Sequence, residues 1–235
     1  MVNLEKGSLI YINYTVKVKD TGEVLESTVE EEAKKLGIYD PNAKYAPKLV
    51  AVGEGWVLKG LDEALLKAKT GEKFVAEVPP EKGFGLRDPS KVRLIPLRKF
   101  GEKAAQLKAG DEVEVDGRVG IVRFIGSGRV QVDFNHRLAG KTLVYDVEVV
   151  KELTEKEEKA KALIARRLAM EEDKVVISFE NGKVRVRIPE ELYLAEGLQY
   201  IKRAIAQDLF KFLDEVFETV FEAVSYTHLT LPTKA

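Results

Sequence analysis

Of the side chains that most often serve as nucleophiles, general bases or soft-metal ligands, this 235-residue sequence has two histidines, His136 and His228, and no cysteine. Disulfides, thiol nucleophiles and cysteine-based zinc sites are excluded together. Two histidines so far apart in sequence give little support to a metal site or a histidine-based triad. Carboxylates are plentiful, but 39 Asp and Glu are interleaved with 38 Lys and Arg, so they read as a solvated surface. Taken alone, Tyr14 and Tyr145 read as core aromatics of a sheet, Leu61 as helix core, and Glu26 as a strand-end charge in water. His136 reads as a loop residue bonding backbone groups.

These residues need elements to position them. Residues 8–19, rich in β-branched and aromatic types, predict a strand, with a turn at 20–23 and extended chain at 24–28. EEEAKKLGI predicts a short helical or irregular insertion, closed at Asp40-Pro41. A second strand runs from Pro47 to Gly53. Leu61, Leu65 and Leu66 mark an amphipathic helix with Gly71 as its stop. Residues 73–78 alternate as a strand and lead into Pro79-Pro80. Between 91 and 134 lies a β-rich unit: VRLIPLRKF, whose Pro96 is unsuited to a central strand, then KAGDEVEV, GIVRFI and RVQVDF. Residues 141–153 are strongly β-forming.

From Thr154 the pattern changes. Thr154 and Glu157 predict a capping box at the head of a charged helix. Asn181-Gly182 predicts a tight hairpin. Ile201, Ile205, Leu209, Phe212, Val216 and Val220 recur at helical spacing, giving a helix–hairpin–helix unit with a broad apolar face. That face leaves two readings open, a clamp for a homodimer or packing on its own hairpin. Residues 225–235 do not fit their surroundings and read as a segment foreign to the fold or a disordered tail. The polar Met1–Gly7 start and the lack of a long apolar run predict a cytoplasmic protein with no membrane partner. The net charge of −1 argues against a nucleic-acid partner. A 33% charged fraction without cysteine fits a heat-adapted organism.

Three segments in order, YINYTVKVKDTGEVLEST, VGEGWVLKGLDEALLKAKTGEKFVAEVPPEKGFG and DFNHRLAGKTLVYDVEVV, together resemble the FKBP-type peptidyl-prolyl cis/trans isomerases. The NHRLAGK stretch is similar to the SlyD-like branch, whose members carry a chaperone insert in the flap loop, and the tail resembles that of long archaeal FKBPs. The resemblance implies an α+β fold, with an antiparallel sheet wrapped on a short helix, a β-rich insert-in-flap domain and a C-terminal α+β domain. The expected division is 1–89 with 135–152 for the isomerase domain, 90–134 for the insert, 153–224 for the C-terminal domain and 225–235 for the tail.

It also implies a reaction that needs no cofactor and no metal. Rotation about an X–Pro bond is opposed by amide resonance, and a twisted transition state is favoured by an apolar cradle with a few well-placed polar groups. By resemblance Tyr14 and Tyr145 stand at the pocket wall and Leu25-Glu26 at its edge. Val57 and Leu58 meet the substrate with their backbone, Leu61 forms the floor, and Phe84 lies in the flanking loop. Phe84 lacks the hydroxyl often found there, Glu26 replaces an aspartate and Leu61 a tryptophan. The expectation is therefore weakened but retained activity, with capture of unfolded polypeptide by Leu94, Ile95, Leu97, Phe100, Ile121 and Phe124 of the insert. The alternative is a holdase whose isomerase pocket is inactive.

Overall fold

The computed structural model describes residues 4–223. Calls on the 225–235 tail and on His228 lie outside the described residues.

The fold is α+β and is built on three sheets. The main sheet contains β1 (Leu9–Val18), β2 (Val24–Ser27), β3 (Lys48–Ala51), β4 (Lys73–Val78) and β9 (Leu143–Leu153). Its order is β2-β1-β9-β4, with β3 also on β1 and every pairing antiparallel. β1 is long enough to hold β2 and β3 end to end on one edge. The short helix α1 (Glu30–Lys35) follows β2, and α2 (Lys59–Leu65) lies against the sheet.

Period-2 alternation explains the packing of β1. Ile10, Ile12, Tyr14, Val16 and Val18 face α2 and share one core with Leu61, Leu65, Tyr145 and Val147. Leu9 faces the other way and joins a second core with Leu49, Ala51, Leu153 and Leu163. One end of the sheet is thus covered on both faces, which accounts for the uninterrupted apolar pair Leu9-Ile10.

The insert is a four-stranded antiparallel sheet of order β5-β8-β7-β6, from β5 (Val92–Pro96), β6 (Glu112–Val115), β7 (Arg118–Gly126) and β8 (Arg129–Asp133). Pro96 ends an edge strand, where its missing N–H costs the ladder little. The third sheet packs α3 (Lys156–Leu168) and α4 (Leu198–Phe212) on the hairpin of β10 (Val176–Glu180) and β11 (Lys183–Ile188). Asn181 and Gly182 both have positive φ at its turn, 47° and 75°.

Three local expectations need correction. Helix α2 ends at Leu65; Gly71 instead turns the chain into β4, its N–H bonded to the Val149 carbonyl at 2.9 Å. No capping box forms at Thr154: Glu155 is the N-cap and makes no side-chain cap bond. Leu153 stays buried in β9, so Thr154 is the link, and α3 is held by burial of Ala160 and Ala162–Ala165 rather than by a cap. Helix α4 stops at Phe212, and Val220 lies on a strand, β12 (Glu218–Ala223), parallel to β11. The alternating, β-branched ETVFEA run satisfies its backbone on the open edge of the hairpin, which overrides the helical spacing.

Candidate functional site

Tyr14 on β1 stands diagonally across from Tyr145 on β9, because Tyr14 pairs with Val147 and Val16 with Tyr145. Their rings lie 5.7 Å apart at 55°, a tilted contact. Leu61 of α2 is fully buried in the same core. Leu25, Val57 and Leu58 are half-buried against that core, and Glu26 is bonded to the Tyr14 hydroxyl. Seven of the eight residues expected from sequence therefore gather around the Tyr14–Tyr145 pair.

Its polar edge is ordered. The Tyr14 hydroxyl donates to Glu26 Oε1 at 2.8 Å and accepts from Lys48 Nζ at 3.2 Å. Burial, then the bond to Glu26, pushes the Tyr14 phenol well above its ordinary range. Burial and the Glu26 charge push Tyr145 up to about 12. Both are neutral phenols at physiological pH, able to donate but not to act as bases. The Tyr145 hydroxyl has no hydrogen-bond partner among the described residues.

The Val57-Leu58 backbone is held from two sides. Gly53 and Gly55, with φ of 72° and 70°, aim their N–H groups at the buried Asp62, at 2.7 Å to Oδ1 and 2.9 Å to Oδ2. From the C-terminal domain, the Arg166 guanidinium lies 3.8 Å from the centre of the Trp56 ring, and Phe212 meets that ring edge-on at 5.7 Å. Glu54 pairs with Lys211.

Phe84 is the exception. It sits at the rim, stacked on His136 with ring centres 4.4 Å apart. His136 Nδ1 accepts from the Leu138 N–H at 3.2 Å, so this histidine shapes the loop under Phe84. Leu138 drops into the pocket's core. Sequence reasoning missed Lys48, Trp56, Asp62 and Leu138. The only signal for Asp62 was its spacing after the Gly53-Glu54-Gly55 loop.

The insert divides its expected surface between two faces. Ile95 is buried, and Leu97 and Phe100 pack on that small core with Val122, Val130 and Val132. These three belong to the interior, a correction with two causes: Ile95 pairs with Val130 on the inner face of the sheet, and the 3-10 turn from Leu97 folds Leu97 and Phe100 back onto that core. Leu94 and Phe124 both pair with Gln131, on the outer face, and are 58% and 62% exposed. Ile121 and Val119 share that face by parity. At the root, Asp133, only 2% exposed, takes Arg87, Arg123 at 3.2 Å, and the N–H groups of Asn135 at 3.0 and 2.8 Å. Asn135 in turn clasps Asp88 through both backbone groups at 2.9 Å.

No group of three or more His, Asp or Glu that could hold a metal occurs among the described residues, and no helix there is long and apolar enough to cross a membrane.

Comparison with known proteins gives a consistent result. Residues 93–138 match the family model described as "FKBP26, IF domain", and residues 156–224 the one described as "FKBP26_C-terminal". A short-type peptidyl-prolyl cis-trans isomerase of Methanocaldococcus jannaschii is 34% identical over 150 residues, which is 63% of this chain and 94% of that protein. A probable FKBP-type 16 kDa isomerase of Pseudomonas fluorescens is 35% identical, over 45% of this chain and 72% of its own. The FKBP-type isomerase SlyD of Helicobacter pylori is 27% identical over 62% of this chain and 74% of its own.

Proposed function

The chain belongs to the FKBP-type peptidyl-prolyl cis-trans isomerases, and on that premise we propose that the Tyr14–Tyr145 pair marks the site where an X–Pro bond is twisted. The barrier to that rotation is about 18–20 kcal/mol, and it comes from amide resonance. Rings of Tyr14 and Tyr145, with Leu25, Val57, Leu58 and Leu61, offer the proline an apolar cradle. In that dry setting a donor aimed at the reoriented carbonyl stabilises the twisted form more than the planar one. Phe84 has no hydroxyl to give. The Tyr145 hydroxyl, neutral and not engaged by another described side chain, is the donor the site has to offer. Glu26, fixed by Tyr14, places negative charge at the cradle's edge.

The observation that carries this reading is the Tyr14–Tyr145 pair over Leu61, with one phenol bonded to Glu26 and the other not. It is tested by exchange measurements on a proline tetrapeptide. Tyr145→Phe is expected to lower kcat/KM by up to about tenfold, the worth of one hydrogen bond. Unchanged catalysis would remove the hydroxyl from the mechanism and, with it, the observation on which this pocket assignment rests.

We further propose that the open face of the insert, around Leu94, Gln131 and Phe124, captures unfolded polypeptide and raises its effective concentration at the pocket. The exposed apolar residues Leu94, Val119 and Phe124 on that face support this. The three relatives described above carry isomerase in their names, so a holdase with an inactive pocket is the weaker reading; no acceleration by the wild-type protein would restore it. The homodimer remains a proposal as well. The inner face of α4 is buried on its own hairpin, so a dimer would draw on exposed Tyr200 and Phe210. Sedimentation at monomeric mass across concentration would end that proposal.

A further inference from the structure

A second opening of about 660 Å³ lies beside the pocket, between the main sheet and α3. One wall is the chain leading into β3, with Ala46, Pro47 and Lys48. The other is the end of α3 and the turn after it, with Ala165, Ala169 and Met170. The opening adjoins the Tyr14–Tyr145 site, because Glu26 and Trp56 line it. Glu26 receives the Tyr14 hydroxyl, and Trp56 immediately precedes Val57.

The walls are tied across the domain boundary. Lys44 pairs with Glu171, and the Tyr11 hydroxyl donates to Glu172. Trp56 packs against both large cores, and Arg166 covers its ring. These contacts fix the width of the opening. Its floor is apolar, and its size is that of a ligand site rather than a packing void.

We propose that this groove receives the extended polypeptide on one side of the X–Pro bond, so that the C-terminal domain supplies part of the isomerase's substrate site. This rests on the reading of the Tyr14–Tyr145 site as the proline pocket. A residue before proline is biased to extended backbone, so the chain leaves such a pocket as a straight segment. A segment leaving past Glu26 and Trp56 enters the groove, where Trp56 and Met170 bury its apolar side chains and the charged rim faces water.

The test uses the full chain and three peptides with the same central X–Pro bond. One is a tetrapeptide; the others are lengthened by about six residues, a reach of roughly 20 Å, on the N-terminal or the C-terminal side. One extension is expected to lower KM by about fivefold, a modest gain in binding. Ala46→Trp fills the groove from an exposed position on one wall, and Met170→Glu charges the other wall. Each should return the KM of the extended peptide to the tetrapeptide value, leaving kcat and the tetrapeptide KM unaltered. Should Met170→Glu unfold the domain, Ala46→Trp alone decides. Equal KM for all three peptides with wild type overturns the proposal, as does an advantage that survives Ala46→Trp. The pocket has its own readout: Tyr145→Phe lowers kcat on all three peptides alike. If it does not, the pocket assignment fails, whatever the peptide lengths show.

Discussion

The isomerase body and the insert differ first in how they are held. The body buries Ile10, Ile12, Leu61, Leu65, Leu143 and Val149 in one core and shares a second with the C-terminal domain. The insert has four buried apolar residues, Ile95, Val122, Val130 and Val132, and leans on a polar staple at Asp133. The proposed pocket, which would have to fit a transition state, sits in the part with the larger cores. The proposed capture surface sits on the part with the smallest core, where local opening costs least.

The sharpest way to break this contrast is to cut into the body. Leu61→Ala removes a fully buried side chain from the pocket floor. It should cost about 2–5 kcal/mol, with loss of isomerase activity. Thermal melts should show the main and C-terminal sheets losing stability together, because Trp56 and β1 join their cores. If the body melted while the C-terminal amides stayed protected from hydrogen exchange, the shared-core account would be wrong.

A smaller effect is expected at the insert's root. Burial raises the Asp133 carboxyl, but the Asn135 hydrogen bonds, with Arg87 and Arg123, outweigh it and hold the group below its ordinary range. A group depressed on folding stabilises the fold above its unfolded value, about 3.9, and that contribution fades as pH falls through the folded value. The insert's stability should therefore be flat from neutral pH to about 5 and fall below about 4. Asp133→Asn should cost about 1–3 kcal/mol, since the arginines are half in water and Asn135 is only partly satisfied. Exchange protection should drop in β5–β8 and not in β1 or β9. Loss of protection across the whole chain would mean that the insert and body unfold as one unit.

Much of this contrast was legible in the sequence, and the parts that were not have physical reasons. Strands such as Lys73–Val78 announce themselves by alternation, and Asn181-Gly182 by its turn chemistry. The pocket residues became visible only through resemblance, because Tyr14, Leu61 and Tyr145 are also what any core would contain. Asp62 and Asp133 were hidden among 39 acidic residues, since burial of a charge leaves no mark on sequence. In the insert, Leu94 and Ile95 are neighbours of equal hydrophobicity. Only pairing with Gln131 and Val130 decides which of them faces water. Val220 misled for a related reason: helical spacing over two turns also suits a strand when an open edge is near.

The smallest expected change in stability is also the most informative about function. Leu94 and Phe124 are more than half exposed on the insert's outer face, so Leu94→Ser with Phe124→Ser should shift stability by no more than about 0.5 kcal/mol. The Phe124 ring folds over Gly126, where a Cβ would lie 2.7 Å from it. The ring therefore shields the backbone of β7, and Leu94→Ser alone serves as the milder control. If the outer face captures chains, the double variant should lose suppression of aggregation and slow proline-limited refolding of an unfolded protein. The tetrapeptide should be isomerised as before, since the pocket lies in the other lobe. Equal loss on both substrates would place the effect in the pocket, and no loss on either would leave the insert without a role in capture. Only a split between the two substrates makes flexible capture and rigid catalysis separate properties of separate regions.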